Sequence, residues 1–215
     1  MTYIPATQAG GLPTFLDNFD EAALGDNWTI YQTWAPYKTI VLSGGKAVLD
    51  AQAGQDISDY TPRITMPIPY FPCEIETKLH SWNNGPRTLA GILIGSDGQA
   101  AGASAGLCLF SEFNDATDKC IRVEGNSQVL AGPTIQNTVP VWFKIICLGS
   151  YLGARWKFLY STDGTNWTAF YTRTLSSALG GLCTGLWIGN WYNQPAVNAQ
   201  FEYFKVSPYL PDGPG

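Results

Sequence analysis

The sequence predicts an all-β protein, a two-sheet antiparallel β-sandwich, on three observations. Residues 156–167 (WKFLYSTDGTNW) read as a strand, a tight turn and a returning strand. Trp156, Phe158 and Tyr160 fall on one face and Lys157, Leu159 and Ser161 on the other, because side chains alternate along a strand. Asp163-Gly164 supplies the positive φ that a hairpin reversal needs. Short runs rich in β-branched and aromatic residues recur along the chain, each closed by Gly, Pro, Asn or Asp. Helical periodicity is lacking, and only residues 20–24 (DEAAL) are compatible with a single helical turn.

Taken in order, residues 1–14 read as an extended arm, since Pro5, Gly10, Gly11 and Pro13 interrupt regular structure. Strands are predicted at 15–19, 28–34, 37–42 and 46–51, separated by Gly25-Asp26, Ala35-Pro36 and Gly44-Gly45. Residues 54–72 read as loop, with Pro62, Pro67, Pro69 and Pro72 confining any pairing to edges. Strands resume at 73–82 and 88–95. Residues 98–106 (GQAAGASAG) read as a loop of small residues. The second half continues with 107–112, 119–124 and 128–131, then 139–148 (VPVWFKIICL), placed to pair with the hairpin. Runs at 168–174, 185–191 and 199–206 complete the set. Neither a repeat nor a linker divides the chain, so residues 15–207 form one predicted sandwich and 208–215 a proline-rich tail. Phe158, Ile145, Phe201 and either Trp142 or Trp156 are expected between the sheets. Register decides which indole turns inward, since a slip of one residue inverts the face.

The order Trp142-Phe143-Lys144, then F-x-Y-S-x-D-G-x-x-W over 158–167, then F-x-Y-F-x-V over 201–206 resembles the concanavalin A-like lectin/glucanase sandwiches. Laminin-G-like and bacterial jelly-roll modules are the nearest in pattern. Residues 15–28 resemble the first strand and turn of such modules, and 90–98 (AGILIGSDG) a central strand ending in a turn. The resemblance covers roughly residues 15–206 and implies a jelly-roll fold; its motifs specify a fold better than an activity. It also implies a structural Ca²⁺ near the meeting of the termini, where Asp17, Asp20 and Glu202 would be the oxygen ligands. No compact D-x-D-x-D loop supports that ion, and no other cofactor is expected.

Composition bounds the function. The chain has 215 residues, 45% hydrophobic, with 8 Trp, 11 Tyr and 10 Phe, enough for a sizeable core. Only 13% are charged, against about 25% in an average domain, so neutral polar residues must cover the surface. Such a surface suits glycan contact or packing against other subunits. A net charge of −5 without any basic run argues against nucleic acid. No apolar stretch is long enough to span a membrane as a helix. The amino terminus lacks a basic and an apolar region, so no secretory signal is expected. The cysteines (73, 108, 120, 147 and 183) form no C-x-x-C pair and read as buried small hydrophobes made in a reducing cytosol. Cys108–Cys120, flanking a plausible hairpin, is the first disulfide to test. The sequons at Asn27 and Asn166 read as incidental.

Candidate chemistry is sparse. Glu74 and Glu76 share a strand face, as catalytic carboxylates do in the resembled glucanases, but the third acid of an E-x-D-x-x-E pattern is missing. His80, the only histidine, has no G-x-S-x-G nucleophile to serve and reads as structural. Ser43-Gly44-Gly45-Lys46 lacks phosphate-loop spacing and reads as a turn. Sugar contact needs flat aromatics beside amides and hydroxyls. Trp82, Asn83, Asn84 and Arg87 offer that mixture after one strand, and Asn190, Trp191, Tyr192 and Asn193 after another. Tyr3, Ile4, Leu12, Tyr209 and Leu210 are apolar residues in terminal segments too rich in Gly and Pro for a core, and read as arms that dock on neighbouring subunits. The expected function is therefore a non-catalytic recognition or surface sandwich. It would be made in the cytoplasm and displayed on a larger particle, such as a phage capsid decoration or tail protein, with glycan or host-surface contact. The alternative is a glycoside hydrolase or lyase with divergent carboxylates.

Overall fold

The computed structural model describes residues 12–31, 38–51, 62–83, 88–96, 105–111, 119–125, 128–131, 139–190 and 196–210. Strands are numbered in chain order. The larger sheet runs β13 (Thr168–Thr174), β12 (Arg155–Ser161), β11 (Val141–Cys147), β6 (Cys73–Trp82), β15 (Val197–Pro208), β4 (Ala47–Ala51) and β3 (Lys38–Leu42). Strand β1 (Phe15–Asp17) also pairs with β15. The smaller sheet runs β10 (Gln128–Ala131), β9 (Lys119–Gly125), β8 (Ala105–Ser111), β7 (Thr88–Ser96), β14 (Leu182–Asn190), β5 (Arg63–Pro67) and β2 (Thr29–Tyr31). Neighbouring strands pair antiparallel, and the two sheets enclose one apolar core. The all-β sandwich expected from the sequence is the fold observed. No helix among the described residues is long and apolar enough to cross a membrane.

Alternation builds the core from the strands themselves. In β6, Cys73, Ile75, Thr77 and Leu79 are buried, while Glu74, Glu76, Lys78 and His80 face outward. Phe143 and Ile145 of β11, Phe158 of β12, and Phe201, Phe204 and Val206 of β15 join them without measurable exposure. Opposite lie Ile64, Ala90, Ile92, Leu186 and Ile188 of the smaller sheet. Trp156, not Trp142, is the inward indole, and its Nε1–H donates to the Gly149 carbonyl at 3.0 Å. Trp28 packs edge-on to Phe204, centroids 5.2 Å apart, and donates to Asp17 Oδ2 at 2.7 Å. A buried aromatic of this size stabilises the fold by about 1.5–3 kcal/mol through burial alone.

Turn chemistry follows the sequence. Gly44 and Gly45 take φ of 60° and 69°, and Ser43 N–H donates to the Lys46 carbonyl at 3.0 Å, closing the β3–β4 hairpin. Asp163 accepts the backbone N–H groups of Thr165 and Asn166 at 2.8 and 2.7 Å, while Gly164 adopts φ 75°. Hydrogen bonds from Asn166, Thr165 and Ser161 hold the Asp163 carboxyl well below the usual carboxylate range.

Three expectations need correction. Residues 20–24 form a bend at 21–23 and no helical turn. Ala105 and Gly106, read as loop, open β8. Residues 63–67, also read as loop, form β5, which pairs on both sides. Prolines do not forbid it: Pro62 precedes the strand and Pro67 ends it, so the residues between keep every N–H donor.

Candidate functional site

The outer face of the larger sheet gathers side chains that the linear sequence scatters. Register sets Lys144 of β11 opposite Glu76 of β6, Trp142 opposite Lys78, and Ile146 opposite Glu74. On the other flank of β6, strand β15 carries an irregularity. Phe201 pairs with Leu79 and Phe204 with Thr77, so Glu202 and Tyr203 together span one position of β6. This bulge turns both side chains outward between two buried phenylalanines. Buried Thr77 donates its hydroxyl to the displaced Tyr203 carbonyl, satisfying both groups.

The outward groups form two adjacent clusters, one around Lys144 and one around Glu202. Lys144 Nζ lies 3.1 Å from Glu76 and 3.8 Å from Glu74. Tyr203 donates its hydroxyl to Glu76 at 2.5 Å, and Ser207 donates to Glu74 at 3.2 Å. Glu202 pairs with Lys78 at 2.7 Å and with His80 Nδ1 at 2.5 Å. An indole lies over the lysine of each cluster. Lys144 Nζ sits 4.2 Å from the centre of the Trp167 ring, and Lys78 Nζ 4.9 Å from that of Trp142. The Trp142 ring rests on the hairpin turn, where a Cβ on Gly164 would come within 2.9 Å of it. The side chains of Lys144 and Glu76 are only 14% and 15% exposed. Glu74 and Glu76 therefore point neither into the core nor into open water.

Burial, then the Glu76 acceptor, pushes the Tyr203 phenol far above its ordinary range, so it stays a hydrogen-bond donor at any physiological pH. Burial raises the Glu202 carboxyl, but Lys78 and His80 outweigh it and hold the group below 4.5. The stability this lowered group contributes is full above pH 4.5 and is lost as pH falls through its folded value. Glu202→Gln is expected to lose up to about 1 kcal/mol at pH 7, with the gap to wild type closing towards pH 3. Urea unfolding at both values measures this; a gap that widened in acid would reverse the assignment.

Glu74 and Glu76 are held alike on this face. They share one ammonium, and each accepts one hydroxyl.

The residues expected to contact sugar fare differently. Trp82 is 5% exposed within the core, so its ring has no open face to offer; the last outward position of β6 is Ser81. Asn83 joins the strand ends instead, donating to the Ala196 carbonyl at 3.4 Å and accepting the Asn198 N–H. Asn84, Arg87, Trp191, Tyr192 and Asn193 lie outside the described residues, as does the side chain of Asn190. Of the arm residues, Leu12 and Leu210 are exposed, and Tyr209 donates its N–H to the Pro72 carbonyl at 3.2 Å. Tyr3 and Ile4 lie outside the described residues. The calcium candidates are not brought together: Asp17 is engaged by Trp28 and the Phe19 N–H, Glu202 by Lys78 and His80, and Asp20 is exposed. Among the described residues no group of three or more His, Cys, Asp or Glu is arranged to hold a metal.

Sequence reasoning missed Trp142, Lys144, Trp167 and Tyr203 as a site. One signal was present: F-E-Y-F breaks the two-residue period of β15 and marks the bulge.

The architecture has well-matched counterparts among solved structures. A xylan β-1,4-xylosidase from Bacillus halodurans C-125 superposes with a TM-score of 0.64 at 18% identity, over 89% of this chain and 38% of that one. A lichenase from a mouse hindgut metagenome gives 0.56 at 11% identity, over 91% and 99%. The likeness is one of fold, a two-sheet antiparallel β-sandwich of the jelly-roll type. The CBM2 module of the evolved Dit of Lactobacillus casei BL23 phage J-1 matches with a TM-score of 0.57 at 15% identity, over 89% and 94%. The chain thus spans well under half of the xylosidase but nearly all of the lichenase and the phage module. No family model and no curated protein sequence matches the chain.

Proposed function

We propose that this jelly roll is a non-catalytic recognition module that binds glycan on the outer face of its larger sheet, carried on an assembly such as a phage virion. One observation carries the reading: two indoles, Trp167 over Lys144 and Trp142 over Lys78, sit on two adjacent polar clusters, Lys144 with Glu74, Glu76 and Tyr203, and Lys78 with Glu202. Indoles stack on the apolar faces of sugar rings, and fixed carboxylates, ammoniums and a phenol satisfy the hydroxyl edges. The placement on a virion rests on likeness to the phage Dit module, which this chain matches over almost its whole length.

Titration of xylo-oligosaccharides and β-glucans, followed by calorimetry, tests the reading. Binding by wild type and a loss of tenfold or more in Trp142→Ala and Trp167→Ala is the expected result. Light scattering after size exclusion, alone and with candidate particle subunits, tests the assembly role. The shared Lys144 between two carboxylates keeps one alternative in view, a divergent glycoside hydrolase or lyase. Release of reducing ends by wild type, abolished in Glu74→Gln or Glu76→Gln, would establish that alternative and overturn the non-catalytic reading.

A further inference from the structure

Two of the cysteines meet inside the larger sheet. Cys73, the first residue of β6, lies directly opposite Cys147, the last residue of β11. Both are free thiols, and neither has measurable exposure. Directly opposed residues of an antiparallel pair have Cα atoms about 4.5–5.5 Å apart. A disulfide needs about 4.4–6.8 Å, so the backbone already meets the requirement.

The pair that the sequence marks as the first to test does not share this geometry. Cys108 lies opposite Arg122, and Cys120 opposite Phe110, so those two are diagonal neighbours on β8 and β9. Diagonal positions are about 7–8 Å apart, beyond ordinary disulfide reach. Cys183 belongs to the other sheet and lies opposite Pro67.

We propose that Cys73 and Cys147 are a latent cross-strand disulfide, closed when the chain folds in the presence of a disulfide oxidant and left as a dithiol when it does not. The chemistry is thiol–disulfide exchange. The thiolate of one cysteine attacks a sulfur of the oxidant and expels its other half as a thiol. The second cysteine then attacks the mixed disulfide, forming the Sγ–Sγ bond and releasing the remaining half. Two thiols lose two electrons and two protons, and the oxidant's broken S–S bond takes up both.

Burial fixes the timing. No oxidant reaches either sulfur in the folded sheet, and burial, then the facing Cys73 thiol, pushes the Cys147 thiol well above its ordinary pKa, suppressing the reactive thiolate. The pair therefore keeps the redox state of the compartment in which the chain folded. Its position gives the bond a structural consequence. Phe71 and Ser150, close to the two cysteines in sequence, line an open groove of about 390 Å³ with Ile68, Leu179, Leu182 and Cys183. A bond between β6 and β11 would tie together the roots of the two loops that carry Phe71 and Ser150.

The test refolds the full chain from denaturant in reducing and in oxidising glutathione buffers, then alkylates remaining thiols and maps tryptic peptides by mass. In the oxidising buffer a linked pair of peptides, 64–78 with 145–155, is expected, with the other cysteines still alkylated. The linked form should melt roughly 5–15 °C above the reduced form, a bridge across a loop of about 75 residues. Folded reduced protein should react with oxidised glutathione at least about 100-fold more slowly than the unfolded chain. Alkylation of all five cysteines after oxidative refolding, or a Cys108–Cys120 link formed in its place, would overturn the proposal. So would a linked form that melts below the reduced one.

Discussion

Gly185→Ala is expected to cost about 3 kcal/mol or more, enough to leave little folded protein in a chain of ordinary stability. Gly185 sits in the middle of β14, opposite Thr65 of β5. A Cβ there would meet the Ile64 carbonyl oxygen directly and lie 2.7 Å from the Thr65 Cα and 2.8 Å from the Ile64 carbonyl carbon. These are backbone atoms of the adjoining strand, so no rotamer change relieves the clash. The whole of β5 would have to withdraw, and with it β2, which reaches the sheet only through β5. Gly95→Ala on neighbouring β7 is the control. It lies opposite Cys183, and nothing stands within 4 Å of its added Cβ. Removing glycine's backbone freedom there should be neutral or gain up to about 1 kcal/mol. Thermal melts of both variants decide the matter; equal effects would mean that β5 and β14 do not approach as closely as described.

These contacts also show where the sequence can and cannot be read. The β12–β13 hairpin was legible because its information is local: alternation, a turn aspartate and a glycine with positive φ lie within a dozen residues. The hairpin at Gly44-Gly45 was legible for the same reason. Strand β5 was not, because four prolines in 54–72 outweighed the short run between two of them, and its partners arrive from far along the chain. The candidate site was hidden by the same non-locality. Glu74 and Glu76 could be placed on one strand face from their spacing, but Lys144 reaches them only through the β6–β11 register and Tyr203 only through the bulge in β15. Trp82 misled because the end of a strand looks like a loop to composition, whereas a register shift at His80–Ser81 breaks the alternation and turns its ring inside.

Register also underlies the contrast between two indoles on adjoining strands. Trp156→Ala is expected to destabilise the fold by about 3–5 kcal/mol, the usual cost of deleting a fully buried Trp. Its ring has no measurable exposure, and its Nε1–H satisfies the Gly149 carbonyl, so truncation leaves both a cavity and an orphaned acceptor. Trp142→Ala should cost no more than about 1 kcal/mol, since that ring lies on the outer face against the Gly164 turn and the Lys78 ammonium. The two substitutions should separate in the opposite sense on glycan titration: Trp142→Ala folds but loses binding, whereas Trp156→Ala, where enough folds to measure, retains it. Chemical denaturation and calorimetry on the same samples give both readouts. A larger stability loss for Trp142 than for Trp156 would mean that β11 and β12 are each displaced by one residue. The Lys144–Glu76 contact, and with it the proposed binding face, would then have to be abandoned.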